Sequence, residues 1–166
     1  PEGIRYELLE GELLMTPSPT PMHQTVLNRL NRIFLEQLED RGLGKVFVAP
    51  LDIVLSEHNV AQPDILFISK DRLGIIGKAN VRGAPDLVVE ILSESTKSRD
   101  LVTKRRVYSQ YGDREYWIVD AYARTIEVSV QREGSLVNPV LHHVGETLSS
   151  SLFPELKVDM EPLFVE

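Results

Sequence analysis

Two acidic side chains and one lysine stand at positions where their chemistry could be combined. Asp64 immediately precedes the apolar run Ile65–Ile68, and Glu90 lies inside the apolar run Leu87–Leu92. Two carboxylates that converge on neighbouring strands make an oxygen-lined pocket of the kind that suits Mg²⁺ or Mn²⁺. A lysine close to them, such as Lys104, could orient a water molecule or stabilise negative charge on a phosphoryl transition state.

Lys104 draws attention because it falls on an apolar surface. Residues 98–111 predict a helix that begins with Ser98 as its N-cap and ends at Gly112. Lys104 lies in the middle of its apolar face, whose other members are Leu101, Val107, Tyr108 and Tyr111. A buried ammonium group is costly unless an anion neutralises it. Asp64 and Glu90 are the candidate anions.

A purely structural arrangement is also compatible with these residues. A buried salt bridge between Glu90 and Lys104 would compensate both charges and require no chemistry. Residue types and spacing leave both interpretations open.

The surrounding elements predict an α/β fold with a mixed β-sheet flanked by helices and extra β-hairpins. Helices are expected at about Pro21–Arg41 and in the Lys104 segment, and a glycine-bearing loop is expected at Lys70–Ala84. The predicted single strands are Val46–Leu55, Asp64–Ser69, Asp86–Leu92 and Glu115–Asp120. The predicted hairpins pair Arg5–Leu9 with Glu12–Met15 through a turn at Glu10-Gly11, and Ile126–Gln131 with Leu136–His143.

The composition limits the classes of function. The 166 residues fit one domain, 1–166, and without cysteine they exclude disulfides and thiolate metal sites. No apolar run approaches the roughly 18 residues of a membrane span, so we expect no membrane partner and a cytoplasmic location. The net charge of −7 is unfavourable for tight nonspecific DNA binding. Basic residues nevertheless cluster at 97–106, as a solvated helix face or as a nucleic-acid contact.

Several sequence blocks in combination resemble a known family. They are Gln62-Pro63-Asp64, the run 84–93 (APDLVVEILS), Lys104, Tyr108 and the run 115–120 (EYWIVD). Together they are similar to the family of putative restriction endonucleases that is widespread in cyanobacteria, within the PD-(D/E)xK nuclease superfamily. The likeness extends from Tyr6-Glu7-Leu8 to Phe153-Pro154-Glu155-Leu156.

This resemblance implies a restriction-endonuclease-like fold and a Mg²⁺-dependent (or Mn²⁺-dependent) DNA endonuclease, expected as a homodimer. By position, Asp64 and Glu90 would bind the metal, and a lysine would assist the attack of water on a phosphodiester. The chain departs from the superfamily pattern at Leu92, where the lysine should stand. Lys104 is its candidate replacement on the following helix. The alternative is a non-catalytic descendant that binds nucleic acid or protein through the same scaffold.

Three further polar residues are accessory candidates. His23 maps near the apolar face of the first helix and could face the site, although a buried histidine bonded to a backbone carbonyl is the commoner arrangement. Gln62 could contact water or phosphate, or could only cap its strand. Glu12 could supply a third carboxylate, although an exposed strand acid is the commoner arrangement.

Overall fold

A mixed six-stranded sheet forms the centre of the computed structural model, which describes residues 4–94 and 96–165. Its strand order is β11-β10-β9-β8-β6-β3, and β8 and β9 are parallel while the other neighbours are antiparallel. These strands are β3 (Gly44–Val48), β6 (Ile65–Ser69), β8 (Leu87–Ile91), β9 (Glu115–Asp120), β10 (Thr125–Arg132) and β11 (Ser135–His143).

A second sheet of five strands has the order β2-β1-β5-β4-β7. Its members are β1 (Arg5–Leu9), β2 (Glu12–Thr16), β4 (Ile53–Ser56), β5 (Asn59–Ala61) and β7 (Val81–Arg82). The first hairpin is confirmed: Glu10 and Gly11 both have positive φ, as its tight two-residue turn requires. A small pair, β12 (Thr147–Ser149) with β13 (Lys157–Asp159), was not predicted.

The helices are α1 (Pro21–Phe34), α2 (Arg105–Tyr111) and α3 (Met160–Phe164). Thr20 caps α1 by accepting a hydrogen bond from the His23 N–H at 3.2 Å, and a π-type segment at Leu35–Glu39 extends this helix. A π-type segment at Arg99–Lys104 leads into α2, which ends at Gly112 in the left-handed conformation, as predicted.

The two faces of the central sheet bury different partners. Alternate residues of β6, β8 and β9, such as Phe67, Val89 and Trp117, pack with α1 and α3. The intervening residues, such as Leu66 and Val88, pack with Tyr108 of α2 and with the five-stranded sheet. The carboxylate of Glu90 belongs to this second face, because it alternates with Val89 and Ile91.

Three sequence predictions require correction. The strand expected at Val46–Leu55 is divided into β3 and β4, which join different sheets, because Pro50 has no N–H with which to continue a ladder. Ser98 has helical φ and ψ and makes no capping hydrogen bond. The loop at Lys70–Ala84 contains a 3₁₀ segment, Lys70–Ile75, and the short strand β7.

Among the described residues, no helix is both long and apolar enough to cross a membrane.

Candidate active site

Asp64 and Glu90 are brought together by the antiparallel pairing of β6 with β8. The register pairs Ile65 with Val89, so Asp64, one residue before β6, lies beside Glu90. The Ile91 N–H donates to Oδ2 of Asp64 at 2.7 Å, which ties this carboxylate to the neighbouring strand. Both acids are buried, with exposed fractions of 6% and 3%.

Lys104 finds an acidic partner, as its place on an apolar face predicts. Its Nζ lies 2.8 Å from Oε1 of Glu90 and 3.0 Å from Oε1 of Glu7. All three side chains are nearly inaccessible to water, so each charge depends on the others for compensation. The Gln62 N–H also donates to Oε1 of Glu7 at 2.8 Å, which fixes this second acid in place.

Tyr108 supplies a further hydrogen bond to the same cluster. Its hydroxyl donates to Oε1 of Glu90 at 2.7 Å. Burial raises the pKa of Tyr108 well above its usual value, and the charges of Glu90 and Glu7 raise this pKa further. The phenol is therefore neutral and remains a donor over the physiological pH range. The ring of Tyr108 packs in the hydrophobic core, as its place on the apolar helix face predicted, while its hydroxyl belongs to the candidate site.

His23 is anchored differently from the arrangement that the sequence favoured. Its Nε2 lies 3.2 Å from Oδ2 of Asp64, so a carboxylate and not a backbone carbonyl faces this ring nitrogen. The reason is that the capped first turn of α1 places His23 over the start of β6. His23 therefore contacts one of the two candidate metal-binding acids.

The other two accessory candidates, Gln62 and Glu12, have different positions relative to the site. Gln62 lies beside the site, where its Nε2 donates to Oδ1 of Asp52 at 2.7 Å. Glu12 has an exposed side chain on β2 and does not line the cavity described next. Gln62 therefore remains a candidate contact, while the position of Glu12 is that of an exposed strand acid.

A cavity of about 60 Å³ opens onto these groups. Its wall includes Asp64, Glu90, Lys104, His23 and Gln62. Several buried polar atoms of cavity-lining residues, among them Thr16 Oγ1, His23 Nδ1 and Gln62 Oε1, have no hydrogen-bond partner within the described part of the chain. Such atoms are costly unless something binds them. The cavity therefore has the polar character of a binding site.

The basic cluster at 97–106 does not form an open cationic surface. Lys97 pairs with Asp120, Arg105 with Glu127, and Arg106 with Glu10, while Arg99 and Lys104 both approach Glu7. Each cation thus has a carboxylate nearby. Because ion pairs of exposed side chains such as Lys97 and Arg106 are weak, the interpretation of this cluster as a nucleic-acid contact stays a prediction.

The donor set can be compared with what a divalent metal needs. Asp64 and Glu90 provide hard oxygen atoms at one cavity, and Mg²⁺ is commonly held by one or two carboxylates together with water and substrate phosphates. In residues 4–94 and 96–165, no group of three or more histidine or acidic side chains could hold a metal. The residues fit a two-carboxylate site that depends on water and substrate for its remaining ligands.

Sequence reasoning missed Glu7 as a member of the site. The available signal was its position: Glu7 occupies the same face of β1 as Leu9, which is buried, so an acid at this position needs a cation. The contact between Glu7 and Lys104 joins residues 97 positions apart, one on a strand of the five-stranded sheet and the other at the end of the helical segment Arg99–Lys104. Short-range periodicity contains no information about that distance.

Comparison with known proteins agrees with this architecture. Residues 1–161 match the model of the Uma2 family, described as putative restriction endonuclease. A crystal structure of a putative nuclease from Anabaena variabilis is similar, with a TM-score of 0.81 at 18% sequence identity, covering 96% of this chain and 89% of that one. No curated protein matches the sequence. The likeness to the crystal structure confirms the restriction-endonuclease-like fold, and the family match over nearly the whole chain shows that this protein belongs to the Uma2 family.

Proposed function

We propose that this protein is a Mg²⁺-dependent DNA endonuclease that hydrolyses phosphodiester bonds. The reaction would take place at the cavity between β6, β8 and the helical segment Arg99–Lys104. The observation that carries the proposal is the convergence of Asp64, Glu90 and Lys104 on one polar cavity. Membership of the Uma2 family, described as putative restriction endonuclease, supports the choice of a nucleic-acid substrate.

In this proposal, Asp64 and Glu90 hold the divalent ion. When bound, the ion supplies Lewis-acid activation of water and neutralisation of charge at the phosphate. His23 and the Ile91 N–H both lie at Oδ2 of Asp64 and fix the orientation of this carboxylate. Such outer contacts commonly set the affinity of a site for its metal.

Lys104 acts next to Glu90, which its Nζ contacts at 2.8 Å. Its ammonium group positions the attacking water or stabilises the negative charge that develops on the phosphate. Glu7 and Tyr108 keep this arrangement rigid, because Glu7 contacts the ammonium and Tyr108 donates to Glu90. A group held by packing and hydrogen bonds needs little reorganisation when charge develops.

A homodimer is part of the proposal. Cleavage of both strands of a duplex requires two sites that face strands of opposite direction, and a two-fold axis provides this arrangement. Sedimentation of the protein with a duplex oligonucleotide would measure this stoichiometry.

One observation favours the alternative of a non-catalytic binding protein. Lys104 lies within 3.0 Å of two carboxylates, so its charge is already compensated without a metal or substrate. On this alternative, replacement of Asp64 or Glu90 would leave metal affinity and biological activity unchanged.

Manganese binding separates these two functions. Crystals soaked in millimolar Mn²⁺ should show anomalous density between Asp64 and Glu90, and Asp64→Asn should remove it. Asp86→Asn is the matched control, because it changes another buried aspartate outside the cavity. A site that stays empty in the unchanged protein at this concentration would contradict the nuclease proposal.

A further inference from the structure

Arg5 differs from the other cations that line the cavity. Lys104 and Arg99 both approach Glu7, and Lys104 also contacts Glu90. The partly buried side chain of Arg5 makes no hydrogen bond or ion pair within the described residues. An arginine at the edge of a polar cavity without an anion of its own is suited to bind one from solution.

Thr16 provides a second donor next to Arg5. The two residues are directly opposite in the antiparallel pair of β1 and β2, so their Cβ atoms are about 4.5–5.5 Å apart on the same face. Both line the cavity, and Oγ1 of Thr16 is buried without a hydrogen-bond partner among the described residues. Two neighbouring residues thus contribute a guanidinium and a hydroxyl to the lining of the same cavity.

The charges in and around the cavity explain why an anion is needed there. Among the described side chains that line the cavity or contact its cations, the acids Asp64, Glu90 and Glu7 formally balance the cations Lys104, Arg99 and Arg5. A divalent ion held by Asp64 and Glu90 would leave an excess of positive charge. An anionic substrate removes this excess, and arginine recognises phosphate through two parallel hydrogen bonds.

We propose that Arg5 and Thr16 form a subsite for a backbone phosphate of the nucleic acid, adjacent to the phosphate that is cleaved. The inference rests on the proposed function, since it assigns a binding group for the same substrate. It also gives the first hairpin a role: Arg5 and Glu7 lie on one face of β1, so the strand that contacts Lys104 also binds the substrate.

The test is binding of a fluorescent DNA duplex, measured by anisotropy in Ca²⁺ at several salt concentrations, with cleavage in Mg²⁺ measured in parallel. Arg5→Gln should weaken binding about 10-fold and should reduce the slope of log Kd against log salt by about 1, because one phosphate contact is lost. Thr16→Val should weaken binding about 3- to 5-fold, as expected for the loss of one neutral hydrogen bond.

Arg32→Gln is the matched control, because Arg32 is an exposed arginine on α1 that does not line the cavity. It changes the net charge equally and should leave affinity and slope unchanged. Arg5→Gln should also retain the melting temperature and the Mn²⁺ affinity of the unchanged protein, since Arg5 has no hydrogen-bond or ion-pair partner among the described residues. A loss of affinity with these two properties intact assigns the effect to substrate binding.

The outcomes separate this inference from the proposed function. Cleavage by the unchanged protein together with equal affinity and slope for Arg5→Gln would overturn the subsite and leave the nuclease proposal standing. Arg5-dependent binding without cleavage would support the subsite and contradict the nuclease. Failure to bind any duplex would overturn both. Arg5-dependent protection against thermal unfolding by inorganic phosphate, without duplex binding, would overturn the assignment to a nucleic-acid backbone.

Discussion

Two Pro-Asp pairs precede buried strands in this chain, and their surroundings differ. Pro63-Asp64 leads into β6, and Pro85-Asp86 leads into β8. Because β6 and β8 are antiparallel, the two aspartates lie towards opposite ends of the paired strands. Asp64 lines the cavity with Glu90, whereas Asp86 does not line it.

The Asp86 region is a closed network of charges. Asp86 is completely buried, with Arg72 at 3.0 Å and Arg114 at 3.4 Å, and it accepts a hydrogen bond from the Ser69 N–H at 2.7 Å. Asp113 is equally buried, and its side-chain oxygens lack hydrogen-bond partners within the described residues. Burial raises the pKa of Asp113 well above its usual value. Buried acids of this kind contribute to structure without access to a ligand.

The difference shows that burial of charge does not by itself identify a functional site. Among the described residues, both regions combine buried carboxylates with cations and contain polar atoms without a hydrogen-bond partner, but the cavity described above is lined by Asp64 and Glu90 and not by Asp86 or Asp113. The following substitutions should therefore affect activity in one region and stability in the other.

Lys104 should give the largest effect. Lys104→Met leaves Glu7 and Glu90 without their common cation, so we expect a loss of about 3–5 kcal/mol in the free energy of unfolding together with loss of cleavage. Lys104→Arg retains the charge. It should keep most of the stability while cleavage falls about 10²- to 10³-fold, because the guanidinium cannot take the position of the ammonium. Urea unfolding and plasmid nicking measure the two effects. Cleavage by Lys104→Arg at the normal rate would mean that Lys104 only neutralises the acids.

Asp86→Asn should reduce stability without affecting chemistry. The variant loses charge-assisted contacts with Arg72 and Arg114, so we expect a decrease of about 2–3 kcal/mol in the free energy of unfolding. Cleavage per folded molecule should not change. Asp40→Asn, the same change at an exposed position, should alter stability by less than about 0.5 kcal/mol. A large loss of cleavage in folded Asp86→Asn would remove the distinction between the two regions.

His23 should affect the metal more than the fold. His23→Ala removes the side chain at Oδ2 of Asp64, so Mn²⁺ affinity measured by electron paramagnetic resonance should fall about 10-fold or more. His23→Gln retains a donor and should recover part of this affinity. If both variants bind Mn²⁺ as the unchanged protein does, His23 has no role in orienting Asp64.

Asp113 should give the smallest effect, and it should depend on pH. The raised pKa means that the folded protein holds a proton on this carboxyl that the unfolded chain releases above about pH 4. Stability is therefore highest below this pH and decreases as pH rises towards the pKa of the folded state. Asp113→Asn removes this dependence, so it should raise the free energy of unfolding at pH 7, measured by urea unfolding, with no gain at pH 3. An equal difference at both pH values would show that folding leaves the pKa of Asp113 unchanged, and would contradict this prediction.

The sequence predicted the parts of the site that depend on local pattern. Alternation placed Glu90 in a strand that is apolar on both faces, and helical periodicity placed Lys104 on a buried surface. A charged side chain in an apolar environment needs a partner of opposite charge, and this applies to both Glu90 and Lys104. The ion pair between Glu90 and Lys104 confirms this expectation.

The parts that were missed depend on contacts between distant segments. Glu7 reaches Lys104 only because the five-stranded sheet packs on the same face as the Lys104 helix. The contact of His23 with Asp64 likewise depends on where the start of α1 lies relative to β6. The division of Val46–Leu55 was indicated locally by Pro50, but the assignment of β3 and β4 to different sheets required the tertiary structure.

Nicking of supercoiled plasmid tests the central claim most directly, namely that Asp64, Glu90 and Lys104 hydrolyse phosphodiester bonds with a divalent metal. The unchanged protein should nick the plasmid in Mg²⁺ and stop when EDTA is added. Glu90→Gln should lower the rate at least about 10²-fold, since it would remove one of the two proposed metal ligands. Asp86→Asn, corrected for its folded fraction, should nick normally. Nicking that persists in EDTA, or that is equal in the unchanged protein and Glu90→Gln, would contradict the claim.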